Sequence, residues 1–154
     1  MSETLKKAIA DNKIVLRLDR SSHVIAQLTK EGRYHGVDRD ITDNNFPTER
    51  QGVETVMFCI VSGKLFKRAD GIVYRADVEA AFGEVGVRLC DPDEALLPPA
   101  KDHNLGLNDA PYVAFIRGSR SSFFISGGPT RGLKQYADDD RCGPHCVLVG
   151  VCEK

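Results

Sequence analysis

Two short runs of aromatic and β-branched residues, 112–117 and 121–126, are separated by a two-residue connection, Gly118-Ser119. Glycine at the first position of such a connection favours a type II′ turn, so the sequence predicts a β-hairpin. Large apolar side chains fall on both faces of this hairpin, which must therefore lie inside a sheet that is covered on both sides. The predicted register places Val113, Phe115, Ser122 and Phe124 on one face and Tyr112, Ala114, Ile116, Ser121, Phe123 and Ile125 on the other.

Arginines flank the predicted turn. The same register places Arg117 directly opposite Arg120, with Ser119 between them in sequence. Like charges directly opposite one another destabilise a strand pair unless something negative lies between them. A bound anion would relieve this repulsion through charge-assisted hydrogen bonds. The tip of the hairpin is therefore the first candidate ligand site.

A second candidate follows the hairpin, in the glycine-rich segment 126–132. Glycines allow successive backbone N–H groups to turn inward and form a nest for an anion, and the predicted contacts are Gly127, Gly128, Thr130 and Arg131. The segment lacks the Gly-Lys-Ser/Thr ending of a Walker phosphate loop. The two candidate loops lie at opposite ends of the hairpin, roughly 20 Å apart at ~3.3 Å per residue, so one small phosphate cannot contact both.

Segment 32–52 is polar, has no sustained hydrophobic period and contains the breaker Asn44-Asn45-Phe46-Pro47. Loops of this length in compact domains are commonly functional or mobile. One interpretation is a solvated excursion of mixed charge. The other is a lid over a site, with His35 and Arg39 as candidate ligand contacts.

Cys90 is a candidate nucleophile for thiol chemistry. It follows a short predicted strand and precedes Asp91-Pro92-Asp93-Glu94, the clearest helix start in the chain. The positive end of a helix dipole favours a thiolate. His103 or His35 could act as the base, since a nucleophile and its base usually come from distant positions.

Cys142, His145 and Cys146 form the densest group of soft metal ligands. Zinc needs four ligands, typically from two knuckles, and the sequence has no second knuckle, so no metal site is predicted. Cys146 beside His145 is instead a second candidate pair of nucleophile and base. No cofactor motif is present, and no cofactor is expected.

Composition excludes several classes of protein. The 154 residues are 42% hydrophobic and 28% charged, which are globular values, and residues 1–154 are predicted to form one domain. A net charge of -1 lacks the basic footprint of a duplex nucleic-acid binder. The sequence shows neither an apolar run of membrane-spanning length nor a signal peptide, and five cysteines fit a reducing compartment, so we expect a cytoplasmic protein without a membrane partner.

The remaining pattern predicts about seven strands and three or four short helices, unevenly interleaved. A second hairpin is predicted at Asp70-Gly71, between strands at 64–69 and 72–76, and Pro98-Pro99 is expected to end the helix that starts after Asp91. Because hairpins demand antiparallel pairing, we expect an α+β domain with a mainly antiparallel sheet.

Three functions are compatible with these features. The first is a small domain that binds an anionic small molecule, a nucleotide or phosphate-bearing metabolite, through its arginine and glycine loops. The second is a cysteine–histidine hydrolase, transferase or deamidase. The third is a protein-binding module of the inhibitor or immunity type, which would use segment 33–52 or an exposed face of the sheet.

Overall fold

The computed structural model describes residues 3–22, 24–48, 51–101, 111–126, 131–136 and 141–153. The helices in these ranges are α1 (Glu3–Asp11), α2 (Ile25–Glu31), α3 (Arg75–Glu84) and α4 (Pro92–Ala100). The strands are β1 (Lys13–Asp19), β2 (Gly36–Val37), β3 (Val53–Ser62), β4 (Val73–Tyr74), β5 (Val87–Arg88), β6 (Tyr112–Phe115), β7 (Ser122–Ile125), β8 (Gly132–Tyr136), β9 (Arg141–Cys142) and β10 (Val147–Cys152). None of the described helices has the length and apolar character needed to cross a membrane.

One large sheet organises the molecule. Its strand order is β1-β3-β10-β6-β7-β8-β2, with β5 paired beside β10, while β4 and β9 form a separate two-stranded sheet. Most pairs are antiparallel, but β10 pairs with β6 and β2 pairs with β8 in parallel. The α+β class is therefore confirmed, whereas the sheet is mixed. The parallel pairs join strands that are distant in the chain. A hairpin motif predicts only the pairing of neighbouring strands, so it could not predict these pairs.

The two faces of the central hairpin belong to two different hydrophobic cores, as predicted. Tyr112 and Phe123 pack with residues of α2 and α4 on one side of the sheet. Val113 and Phe115 pack with residues of α1 and α3 on the other side. The helices thus cover the middle of the sheet on both faces, which is why large apolar side chains occur on both faces of the hairpin.

The hairpin has the predicted register, with Phe115 opposite Ser122, but its turn is displaced. The N–H of Ser119 donates to the Ile116 carbonyl at 3.3 Å, so the turn is centred on Arg117 and Gly118, whose φ is 73°. The prediction of a type II′ turn at 118–119 is wrong. The cause is a distant segment: Cys90 bridges to Ile116 and its carbonyl accepts the N–H of Arg117 at 2.8 Å.

The second predicted hairpin is also corrected. A tight turn does form here, but it is centred on Ala69 and Asp70, because the N–H of Gly71 donates to the Arg68 carbonyl at 2.9 Å. Gly71 follows with a φ of 81°, and the N–H of Arg68 donates to the Ile72 carbonyl at 3.0 Å. However, residues 63–65 form a 3-10 helix, and β4 pairs with β9. The sequence therefore predicted a turn in this segment correctly, but it misplaced the centre of the turn by one residue and predicted the wrong strand partner.

Helix α4 begins as predicted, because Glu94 Oε1 accepts the backbone N–H of Asp91 at 2.8 Å and Pro92 occupies the first turn. The helix includes Pro98 and Pro99 and ends at Ala100. Both prolines are buried in the last turn. The expectation that Pro98-Pro99 end the helix is therefore corrected, because both lie inside its last turn.

Segment 32–48 is anchored to the sheet over part of its length. Ile41 and Phe46 are buried, and the Phe46 ring meets Phe123 edge to face at 4.9 Å between centroids. Asp43 accepts the N–H groups of Ile25 and Ala26, at 2.8 and 3.2 Å, at the start of α2. These contacts fix the segment beside the central hairpin, where its residues 45–48 form one wall of a cleft that is described below.

Candidate functional site

A cleft of about 380 Å³ opens where three segments meet: the N-terminus of α4, the turn between β6 and β7, and residues 45–48. The fold brings them together because Phe46 packs on β7 while Cys90, just before α4, is bridged to the end of β6. Polar side chains around the cleft are Arg20, Asn45, Thr48, Asp91, Asp93, Arg117 and Ser119. The predicted hairpin-tip residues Arg117 and Ser119 thus lie in a concave site.

Arg117 forms a two-point pair with Asp91. Its Nε and Nη2 donate to the two carboxylate oxygens, both at 3.0 Å. The premise that Arg117 faces Arg120 without a nearby carboxylate is therefore wrong. Because the turn is centred on Arg117 itself, this side chain leaves the ladder and reaches α4, while Arg120 is exposed. A bound anion is not needed to relieve the repulsion that the predicted register implied.

A second arginine behind the cleft is buried among carboxylates. Only 2% of the Arg20 side chain is exposed, and its Nη1 donates to Asp93 at 2.5 Å. Its Nη2 donates to Glu54 and reaches Glu94 at 3.4 Å. Arg88 donates twice to the same Glu94, both times at 2.7 Å. Paired burial of this kind is what keeps such charges ionised inside a protein.

The carboxylates of this network experience opposing influences. Burial raises the pKa of Asp93, although Arg20 acts against the rise. Burial also acts to raise the pKa of Glu94, but hydrogen bonds from Arg88 and the N–H of Asp91, with the nearby arginine charges, hold it below its usual value. Two arginines and two aspartates line the cleft, so their formal charges cancel.

Thr48 supplies a polar group that the other described residues do not use. Its Oγ1 is buried at the cleft wall and has no hydrogen-bond partner among the described residues. A buried hydroxyl without a partner costs free energy, and such groups are uncommon in folded proteins. A ligand would recover this cost if the cleft wall shifted enough to expose the hydroxyl to it.

His35, another predicted ligand residue, lies at a separate, shallower concavity of about 570 Å³ beside β2 and β8. His35 is one of its walls, and its N–H donates to the Arg131 carbonyl at 2.6 Å. Arg131 Nη1 donates to the Gly32 carbonyl at 3.2 Å, so its charge helps to hold the preceding segment. Arg39 is exposed and is absent from both walls. The predicted contacts Gly127, Gly128 and Thr130 lie outside the described residues.

The two candidate nucleophiles, Cys90 and Cys146, are both buried. Cys90 is fully buried and burial raises the pKa of its thiol, so the expected stabilisation of a thiolate by α4 is wrong. Cys146 is buried whereas His145 is exposed, and the nearest polar neighbour of the Cys146 sulfur is Cys142 Sγ, at 3.2 Å. His103 lies outside the described residues. No group of three or more metal-binding side chains converges in the described part of the chain.

One cysteine acquires an unusual environment that the sequence did not indicate. A hydrogen bond from Cys59 lowers the pKa of the half-buried Cys152 to about 7, opposed by burial and assisted by the charge of Lys13. The two cysteines come from the neighbouring strands β3 and β10, where Cys59 lies opposite Gly150. Only the pairing of these two distant strands creates the contact.

The chain matches no protein-family model, and neither the curated proteins nor the solved structures include a significant match.

Proposed function

We propose that the chain binds a small polar metabolite in the cleft between α4, the β6–β7 turn and residues 45–48. One observation carries the proposal: paired charges and the unpartnered Thr48 hydroxyl converge on a single concavity beside the apolar residues Phe46 and Ile116. A cleft of about 380 Å³ lies in the size range of small-molecule sites. Polar groups on an apolar floor fix the orientation of a ligand.

The charge balance indicates which ligands fit. An incoming phosphate would have to compete with Asp91 for Arg117 and would approach the Asp93 carboxylate. A ligand whose recognised part is uncharged but rich in donors and acceptors can use all of these groups without disrupting a pair. We therefore propose a molecule of nucleoside character as the recognised part. In a nucleotide, the phosphate would extend toward Ser119 and the exposed Arg120.

A thermal-shift screen tests this proposal, because a ligand that binds the folded state raises its melting temperature by mass action. The panel compares nucleosides, the corresponding nucleotides and inorganic phosphate. We expect a nucleoside and its nucleotide to stabilise the protein similarly, and phosphate alone to have no effect. Stabilisation that requires the phosphate would support an anion site instead, and no stabilisation by any member would contradict small-molecule binding.

Two threonine variants locate the effect. Thr48→Val removes the buried hydroxyl from the cleft wall, and we expect it to reduce the rise in melting temperature that the ligand causes. Thr55→Val is the matched control, since Thr55 is exposed on β3 and absent from the cleft wall. A ligand whose shift is reduced equally by both substitutions does not bind where we propose.

A thiol enzyme is the second candidate, and one observation favours it. The Cys152 thiol has a pKa of about 7, so a substantial fraction is thiolate at neutral pH. Cys152 lines a shallow surface depression with Arg88 and Glu54. If the chain catalyses a thiol-dependent reaction, Cys152→Ser abolishes it, whereas Cys90→Ser leaves it unchanged.

A further inference from the structure

Strand β1 lies at the end of the large sheet, and β3 is its neighbour in the described strand order. The backbone hydrogen bonds at both ends of the pair fix which groups point away from β3. The Asn12 carbonyl accepts from Ile60 at 2.9 Å, and the N–H of Arg20 donates to Gly52 at 3.0 Å. Because this pattern alternates, the even-numbered residues of β1 bond to β3, and the backbone groups of Val15 and Arg17 point to the open side.

The outer end of the sheet also exposes apolar side chains. Val15 is 54% exposed and lies opposite Met57, which is 39% exposed, on β3. Val53, at the start of β3, is 55% exposed. On the opposite face of β1, Leu18 is fully buried. The outer face of β1 and β3 is therefore partly apolar and uncovered, next to a row of outward-pointing backbone donors and acceptors.

We propose that β1 pairs antiparallel with β1 of a second copy of this chain, around a two-fold axis at Leu16. In this register the N–H and C=O of Val15 bond to Arg17 of the second copy, and the reciprocal pair forms by symmetry. Lys13 lies opposite Asp19 of the second copy, and the two-fold axis generates a second pair of the same kind. The two large sheets then become one continuous sheet, and the side chain of Val15 is covered by the aliphatic part of Arg17.

The charges of β1 favour a second copy as the partner and select one register. The strand reads Lys-Ile-Val-Leu-Arg-Leu-Asp, with a cation at one end and an anion at the other, so antiparallel self-pairing matches opposite charges at both ends. A slip of two residues in one direction would place Arg17 opposite Arg17, and in the other direction Lys13 opposite Arg17. Like charges directly opposite are destabilising, so both slipped registers are disfavoured.

Local hydrogen bonds favour the charged form of Asp19. Its Oδ1 accepts from the Ser21 hydroxyl at 2.7 Å and from the Ser21 N–H at 3.1 Å. These bonds lower the pKa of Asp19 and keep it charged. Lys13 of a second copy would therefore face an ionised carboxylate across the proposed strand pair.

Analytical ultracentrifugation of the full chain over a concentration series tests the proposal. We expect the wild-type protein to be a dimer that dissociates on dilution. Val15→Pro removes a backbone donor that points to the open side and leaves the bonds to β3 intact, so we expect a folded monomer. A wild-type protein that stays monomeric at every concentration up to its solubility limit would overturn the proposal.

A pair of charge variants tests the register without relying on proline. Val15→Glu and Val15→Lys both replace the same exposed side chain, but only the first places a charge opposite to that of Arg17 on the second copy. We expect the dimer dissociation constant of Val15→Lys to exceed that of Val15→Glu by about tenfold or more, since two symmetric pairs change sign. Circular dichroism verifies that both variants are folded. Equal dissociation constants would overturn the proposed register.

Discussion

Arg117 donates hydrogen bonds to both carboxylate oxygens of Asp91, each at 3.0 Å, and this pair joins the β6–β7 turn to the N-terminus of α4. Asp91 is also the capping residue directly before α4, with its own N–H bonded to Glu94. One aspartate therefore serves both the start of a helix and the charge balance of the cleft. Because Arg117 is already paired with Asp91, the cleft suits a polar, largely uncharged ligand better than a free anion.

The Arg117–Asp91 pair should contribute measurably to stability. A double-mutant cycle with Arg117→Ala and Asp91→Ala should give a coupling energy of about 1 kcal/mol, because the pair is bidentate and only partly exposed. Urea unfolding measures it. Arg68 and Asp77 form the control pair, which is also bidentate but more exposed. We expect weaker coupling there, and equal coupling would contradict a special role for the cleft pair.

Glu94 should make stability depend on pH in the acidic range. Folding holds its pKa below the ordinary value of 4.5, so its contribution is present above pH 4.5 and is lost as the pH falls through the folded pKa. At neutral pH, Glu94→Gln should lower the free energy of unfolding by about 3 kcal/mol, because Arg88 loses its buried partner. Chemical unfolding at several pH values should show this difference shrinking toward low pH.

Asp93 is the internal comparison for Glu94, since folding raises its pKa above the ordinary value of 3.8. Its carboxyl contributes a stabilisation that is present below pH 3.8 and is lost as the pH rises through the folded pKa. The difference between wild type and Asp93→Asn should therefore change with pH in the opposite direction to that of Glu94→Gln. If both differences changed with pH in the same direction, folding would not shift the pKa values of Asp93 and Glu94 in opposite directions.

Cys152 should be the thiol that alkylates with an apparent pKa of about 7. Its reaction with iodoacetamide, followed by peptide mass spectrometry, should accelerate as the pH rises through that value. Cys59→Ala removes the hydrogen bond that lowers the pKa, so the profile should move to higher pH. The fully buried Cys90 should react slowly throughout. An unchanged Cys152 profile in Cys59→Ala would show that the thiol contact is not responsible.

Cys142 and Cys146 should form a disulfide under mild oxidation, since their sulfur atoms are 3.2 Å apart. The half-buried Cys142 thiolate attacks oxidised glutathione and releases one reduced glutathione, and Cys146 then attacks the mixed disulfide and releases the second. We expect a loss of two hydrogens in the intact mass and, from closing so short a loop, about 2 kcal/mol of added stability. Persistence of the mixed disulfide would contradict the prediction. Cys142→Ser is the control that cannot close the loop.

The local features of the fold were predictable because they depend on side chains that are close in sequence. Strand alternation assigned the two faces of the central hairpin correctly, and the start of α4 followed from Asp91, Pro92 and Glu94. The turn of the hairpin was misplaced because Cys90, which lies on another segment, bonds to Arg117. The same limitation explains the mispredicted partner of β4.

The cleft was predictable only in part, for the same physical reason. Arg117 and Ser119 were identified from their position at a turn, and both line the cleft. Asp91 was recognised as a helix cap, but its role as the partner of Arg117 depends on a contact across 26 positions. Arg20 and Thr48 have no local signal, because their environments are built by segments that meet only in the folded chain.

The location of the ligand is the most direct test of the central claim. Amide correlation NMR spectra of the protein should be recorded while the most stabilising nucleoside is added. We expect the largest shifts at the amides of Thr48, Asp93, Gly118 and Ser119, which line the cleft, and none at Gly36 or Gly132, which line the other concavity. Shifts confined to Gly36 and Gly132, or no shifts at saturating nucleoside, would contradict a binding site between α4 and the β6–β7 turn.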